Sequence, residues 1–329
     1  VQLQSDITSP FPPLDLMVHI GEISAASFND TIPAKEVWRV SEDGELRDPF
    51  KKLTTVFQMS EEMFFLHYGK DGCNRHVLID ECRELFGEIY EQIPELPFCN
   101  IWTAMQLSSR LPKGALFHMG VSNTRRCWNM FQLPESVESA CNVGCCGIDG
   151  CVSTLVGASL VNPDRLCYVV VGDLTFFYDL NSLGNHHIGT NLRVMLVNNG
   201  RGTEFRLGIH HCNVFGDDAD KYMAAAGHFG NKSPLLVKHY AEDLGFHYLS
   251  ATTKEEFMTA LSNFTNPQLS DHSMILEVFT DSKDESEALY LMSHIQSDAK
   301  GMVRSKLKDA VRNVAGEKGI NAIKKILKK

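Results

Sequence analysis

"YVVVGDLTFFYDLNSL", residues 168–183, decides the fold. Tyr168 to Val171 form an apolar, β-branched run of the kind buried in a parallel sheet; Gly172 and Asp173 end it, and an aromatic stretch with helical spacing follows. We read a strand over 166–171 and a helix over 176–187 from this stretch. A carboxylate at the end of a buried strand needs a reason, because a charge without a partner is costly there. In an open parallel sheet, ligands sit in the crevice outside the carboxyl ends of the strands, and Asp173 stands at such an end.

The next strand outward, "LRVMLV" over 192–197, ends on Asn198-Asn199-Gly200. One crossover separates Asp173 from Asn199, so both polar ends emerge on the same edge of the sheet. One carboxylate and one amide oxygen make a sparse set of hard oxygens, which Mg²⁺ accepts when phosphate oxygens and waters complete its octahedron. A helix starting near Thr175 aims its N-terminal amides at the same place, where a diphosphate is stabilised. Gly172 lets the backbone approach such a ligand closely. The plainer alternative, an Asp cap and an Asn-Gly turn, fits either half taken alone.

The same alternation extends both ways. Helices at 101–110, 124–132, 219–227, 233–244 and 253–263 alternate with strands at 115–119, 246–249 and 273–279, and the glycine-rich "NVGCCGIDG" (142–150) opens a helix running to 160. This pattern predicts an α/β fold: a mostly parallel sheet with helices on both faces. Upstream, "LDLMVHIG" (14–21) and "EVWRVSEDG" (36–44) read as strands of a smaller α/β piece. The stretch 60–98 is helical in pattern, closed by Pro94 and Pro97. The expected division is a partial α/β domain over 1–70, a helical linker over 71–99, a diphosphate-binding domain over 100–295 and a tail over 296–329.

Composition narrows the function classes. A net charge of -10 over 329 residues argues against general nucleic-acid binding, and 43% hydrophobic content is enough for ordinary cores. No apolar run reaches membrane-spanning length, and no basic stretch leading into an apolar one opens the chain. The ten cysteines include an adjacent pair, Cys145-Cys146, and no CxxC pairs with zinc-site spacing. Reduced thiols in a cytoplasmic protein are the simplest expectation.

A GD after one apolar strand and an NN after the next resembles the signature of thiamine-diphosphate enzymes. More specifically, "GIDG" (147–150), "GDLTFFYDLNSL" (172–183), "VNNG" (197–200) and "EVWRVSEDGELRDP" (36–49) resemble the SEPHCHC synthases of the menaquinone pathway, which act on isochorismate and 2-oxoglutarate. The likeness runs from about residue 14 to 295. It implies thiamine diphosphate and Mg²⁺ as cofactors and a 2-oxo acid decarboxylase or carboligase as the activity. By the same resemblance, Asp173 and Asn199 bind Mg²⁺ through their side chains and Arg201 through its main-chain carbonyl. Leu174 and Thr175 lie along the diphosphate, and Ile148, beside Gly147, supports the cofactor rings. Ser122 and Arg126 of "GVSNTRR" (120–126) line the substrate pocket, where a guanidinium can grip a carboxylate bidentately, and Phe205 belongs to the same wall.

The chain departs from that family at two positions. Val143 stands where the family has an arginine, and Glu204 where it has an aliphatic residue, so an acidic acceptor should bind poorly and the substrate should differ from the menaquinone one. The resemblance also leaves the family's N-terminal pyrimidine-binding domain unmatched, with its cofactor-activating glutamate; the catalytic carboxylate therefore has no candidate here. A complementary pyrimidine-domain chain or the missing N-terminal half is expected to supply it, in a homo- or hetero-oligomer. The competing reading is a non-catalytic scaffold or regulatory module that retains the thiamine-diphosphate-binding fold.

Further His and Cys residues and the C-terminal tail also carry chemistry-bearing side chains. His186 and His187 are adjacent on the expected helix and point apart, so they are read as structural. His210 and His211 lie in the loop after the NNG run, without an evident orienting partner. Cys145 and Cys146 are read as small buried hydrophobes. The tail 301–329 carries nine Lys or Arg against two acidic residues at amphipathic spacing. It is expected to pack on the protein's own acidic surface, with a partner subunit or an anionic membrane surface as the alternative.

Overall fold

The computed structural model describes residues 14–21, 34–69, 77–143, 147–207, 210–222 and 232–295. Two compact units meet in sequence between Ile93 and Pro94, with residues 293–295 joining the first.

The first unit holds three parallel strands, β1 (Leu14–Ile20), β2 (Ala34–Ser41) and β3 (Leu53–Gln58), in that order across the sheet. Helices α1 (Glu61–Tyr68) and α2 (Val77–Glu91) follow. Ser60 caps α1 by accepting from Met63 N through its side chain, and Phe57 of β3 packs edge-on against Phe64, 5.0 Å between ring centroids. Arg39 is fully buried on β2; it donates to the carbonyls of Gly21 and Glu45 and pairs with Asp43. Its burial is tolerated because its donors are matched.

The second unit runs α3 (Asn100–Leu107), β4 (Leu116–Met119), α4 (Asn123–Trp128), β5 (Glu138–Cys141), α5 (Cys151–Val161), β6 (Cys167–Gly172), α6 (Asp173–Tyr178), β7 (Leu192–Asn198), α7 (Ala219–Tyr222), α8 (Leu236–Asp243), β8 (His247–Ala251), α9 (Lys254–Phe264), β9 (Met274–Phe279) and α10 (Ser282–Ser293). Its sheet has the order β5-β4-β6-β7-β9-β8, and every neighbouring pair is parallel. The central strands are buried on both sides, which is why they read as continuous apolar runs. Val169, Val171, Val194 and Leu196 pack with Val152 and Leu155 of α5 and Val237 of α8. Tyr168 points to the other face, where its ring meets Phe264 of α9 at 5.5 Å and its hydroxyl donates to the Phe264 carbonyl. Each such buried side chain contributes about 1.5–3 kcal/mol. The α/β reading with helices on both faces holds.

Several elements differ from the sequence reading. The expected helix 176–187 is α6, starting at Asp173, followed by a 3₁₀ turn over Leu180–Gly184. Asp179 leaves helical geometry (φ -116°, ψ 14°), and its carboxylate accepts from Ser153 N at 2.6 Å, which ends α6. His186 and His187 therefore lie beyond any helix, their rings 3.8 Å apart. The helix expected over 124–132 stops at Trp128. Strands β3 and β5 and helix α10 are additions to the expected elements; β3 carries Thr54 and Thr55 inside its apolar run, and β5 is a four-residue edge. The helical pattern at 60–98 resolves into α1 and α2. Cys145, Cys146, residues 223–227 of the expected helix 219–227 and the tail 296–329 lie outside the described residues. No helix among the described residues is long and apolar enough to cross a membrane. The seven cysteines described are all free thiols.

Candidate functional site

Strand register builds the site. Gly172 of β6 pairs with Val197 of β7, so Asp173 leaves its strand opposite Asn198, and Asn199 lies one residue farther on. At this edge a cavity of about 130 Å³ opens, lined by Ser122, Ile148, Gly172, Asp173, Leu174, Thr175, Asn199, Arg201 and Phe205 among others. Segments around 122, 148, 173, 199 and 204 thus converge on one place. Gly147 and Arg126 lie outside the lining, although Gly147 adjoins Ile148 and Arg126 reaches Glu204, which lines it.

Asp173 is 2% exposed, and its Oδ1 accepts from Leu174 N at 2.8 Å. The Asn198-Asn199-Gly200 turn is held by side chains: Asn198 Oδ1 accepts from Gly200 N, Asn199 Oδ1 accepts from Arg201 N, and Gly200 takes φ +79°. Behind it, Asn198 Nδ2 donates to Glu277 Oε1 and the Tyr248 hydroxyl donates to Glu277 Oε2, both at 2.7 Å. Burial pushes the Glu277 carboxyl up, those two hydrogen bonds pull it down, and the charge of Asp173 adds to the rise; the net shift is upward.

A second buried acid stands behind α3. Glu285 Oε1 accepts from Asn100 N and from the Thr280 hydroxyl, each at 2.9 Å. Burial, opposed by these bonds and aided by Asp284 and Asp173, raises its pKa to about 7. Asn100 itself lines the cavity, and its Oδ1 accepts from Trp128 Nε1.

Also on the lining, Ser122 has φ +60° and ψ -124°, a conformation that costs a non-glycine residue free energy and clusters at ligand sites. One turn on, Arg126 meets Glu204 in a fork-to-fork pair, Nη1–Oε2 2.6 Å and Nη2–Oε1 2.7 Å. Burial lowers the Arg126 pKa, and the hydrogen bond and charge of Glu204 more than reverse that, so the net shift is upward. The sequence reading singled out both residues but could not pair them across 78 positions. It also missed Asn100, Thr203, Glu277 and Glu285. Asn100, Glu277 and Glu285 sit inside segments that look like ordinary helix or strand; Thr203 follows the NNG run by only three residues and was the most accessible to inspection. His210, by contrast, has an orienting contact: its Nδ1 accepts from Cys212 N, and its ring packs edge-on against Phe205 at 5.2 Å. The side chain of His211 lies outside the described residues.

The donor set suits a diphosphate and a hard cation. A buried carboxylate, an amide oxygen and a backbone turn surround a cavity in which a Cβ on Gly172 would meet nothing within 4 Å. Among the described residues no group of three or more His, Cys, Asp or Glu is placed to hold a metal ion. The volume is below the range of pockets that enclose a drug-sized ligand.

No family model matches the chain. Curated relatives do. The chain is 33% identical over 263 residues to a 2-succinyl-5-enolpyruvyl-6-hydroxy-3-cyclohexene-1-carboxylate synthase of Bacteroides fragilis, a match covering 78% of this chain and 45% of that protein. It is 32% identical over 265 residues to the synthase of the same name from Phocaeicola vulgatus (78% and 44%). A third, from Bacteroides thetaiotaomicron, is 32% identical over 259 residues (78% and 44%). The chain thus resembles one part of these SEPHCHC synthases, as its motifs imply, and spans under half the length of each.

Proposed function

We propose that this chain carries the diphosphate and metal site of a thiamine-diphosphate-dependent enzyme that forms carbon–carbon bonds from a 2-oxo acid. The observation that carries the reading is the convergence of Gly172-Asp173 and Asn199, from the ends of two adjacent parallel strands, on one cavity. Asp173 and Asn199 hold Mg²⁺ by their side-chain oxygens and Arg201 by its carbonyl, while Leu174 and Thr175 in the first turn of α6 lie along the diphosphate. Ile148, on the same cavity, supports the cofactor from the side of the GIDG turn. When bound, thiamine diphosphate supplies the carbanion chemistry of 2-oxo acid decarboxylation.

This chain's residues bind, orient and exclude water. Among the described residues, Asp173 and Glu204 are the carboxylates on the lining, one assigned to the metal and the other engaged by Arg126. The carboxylate that activates the cofactor is therefore assigned to a pyrimidine-binding domain, contributed by a partner chain or by another part of the same protein.

Calorimetric titration of the full chain with thiamine diphosphate tests the reading. Saturable binding that needs Mg²⁺ and is lost in Asp173→Ala supports it. Absence of binding with Mg²⁺ present, both alone and after adding a pyrimidine-domain protein, overturns it in favour of a scaffold that keeps the fold without the cofactor.

A further inference from the structure

The cavity's lining carries three charged side chains among the described residues: Asp173, Arg201 and Glu204. Arg201 adjoins the NNG turn, at the end assigned to diphosphate and metal. Ser122, Glu204 and Phe205 form another part of the lining, and the cation beside them is Arg126, whose planar fork is the side-chain geometry best matched to a carboxylate. That fork is already filled. Both of its outer nitrogens meet Glu204 oxygens at 2.6 and 2.7 Å, and the two side chains are each 21% exposed.

We propose that Glu204 is a built-in carboxylate that occupies the Arg126 fork and makes this part of the cavity select a substrate without a second acidic group. In terms of the proposed function, on which this inference rests for its chemistry, the substrate is a 2-oxo acid with one carboxylate or an uncharged carbonyl acceptor, and 2-oxo diacids are excluded.

Two physical arguments support the selection. A tethered carboxylate competes at an effective concentration on the order of millimolar for a loose tether, and higher when it is held in place. Glu204 is held: it sits in the 3₁₀ turn Thr203–Arg206, where Thr203 N donates to Arg201 O and Phe205 N to Gly202 O, while Arg126 N donates to Ser122 O on α4. A free dicarboxylate must therefore displace an ordered partner and leave Glu204 beside its own negative charge, so attraction to Arg126 is cancelled by repulsion from Glu204.

Succinate is the probe, because its binding needs neither cofactor nor turnover. Titrated calorimetrically into the full chain, it should bind Glu204→Ala at least about tenfold more tightly than the unaltered chain, the gain expected for one freed charge-assisted fork. Glu204→Gln, which keeps the side-chain volume and one hydrogen bond, should show a smaller gain in the same direction. Adding Arg126→Ala to either variant should abolish the gain. Equal succinate affinity in the unaltered chain and both Glu204 variants, or a gain that survives Arg126→Ala, overturns the proposal. A thiamine-diphosphate titration of the same samples reports separately on the cofactor reading, so the two fail independently.

Discussion

Glu277 of β9 holds Asn198 of β7 by a 2.7 Å hydrogen bond, and through it fixes the turn that presents Asn199. The acid is 1% exposed and its second oxygen accepts from the Tyr248 hydroxyl. Glu277→Ala strands the buried Asn198 amide, at about 1–3 kcal/mol, and the half-buried Tyr248 hydroxyl, at about 1 kcal/mol because water reaches it, so a loss of about 2–4 kcal/mol is expected in urea unfolding. Glu277→Gln keeps an acceptor for Asn198 and should lose about 1 kcal/mol. Equal midpoints for Ala and the unaltered chain would show that the network does not hold the turn.

Asp179 joins the aromatic run after β6 to the start of α5, accepting from Ser153 N at 2.6 Å. It acts as a helix cap supplied from a distant segment, so Asp179→Ala should cost about 1 kcal/mol and lower the melting temperature by roughly 2–4 °C. Because the same contact steadies the Gly150 turn two residues from Ile148, thiamine-diphosphate affinity should fall as well. Unchanged melting by scanning calorimetry would remove Asp179 from this role.

What could be read in the sequence follows from how local each signal is. The apolar runs ending in Gly172-Asp173 and Asn198-Asn199 announce buried parallel strands with polar ends, and register then brings those ends together. The end of α6 was misplaced because its cause is a contact to Ser153, 26 positions away. Strand β3 hid behind its threonines, and β5 is four residues of which three are exposed. Glu277 looked like an ordinary polar residue in a strand; only its neighbours Asn198 and Tyr248 explain why a carboxylate is buried there. The Arg126–Glu204 pair has no local signature, since both residues also fit solvated positions on short elements.

Gly172 separates stability from binding. Its φ is -77°, open to any residue, and an added Cβ meets nothing within 4 Å. Gly172→Ala should therefore leave stability unchanged or raise it by about 0.4–1 kcal/mol through the unfolded chain. The new methyl stands on the cavity wall, so diphosphate affinity should drop while the unfolding midpoint does not. A midpoint that falls with the affinity would mean that the glycine serves the fold and not the ligand.

Glu285 gives the protein a pH dependence with a defined sign. Its carboxyl is raised from 4.5 to about 7, chiefly by burial, so between these values the folded state binds a proton that the unfolded state releases. Its contribution to stability is complete below pH 4.5 and is lost as pH rises through about 7; at 1.36 kcal/mol per pH unit this amounts to about 3 kcal/mol. Burial lowers the His118 pKa against a weaker upward pull from Asn142, which gives an opposing slope near pH 6.5. Asp43 and Glu256 are held below their ordinary values, and their contributions fall away only beneath about pH 4.5. Subtracting the profile of Glu285→Gln, which imitates the protonated acid, isolates the Glu285 part. Urea unfolding from pH 4.5 to 8 should show the unaltered chain losing stability relative to Glu285→Gln by up to about 3 kcal/mol. Parallel profiles would mean that the Glu285 carboxyl titrates alike in the folded and unfolded chain.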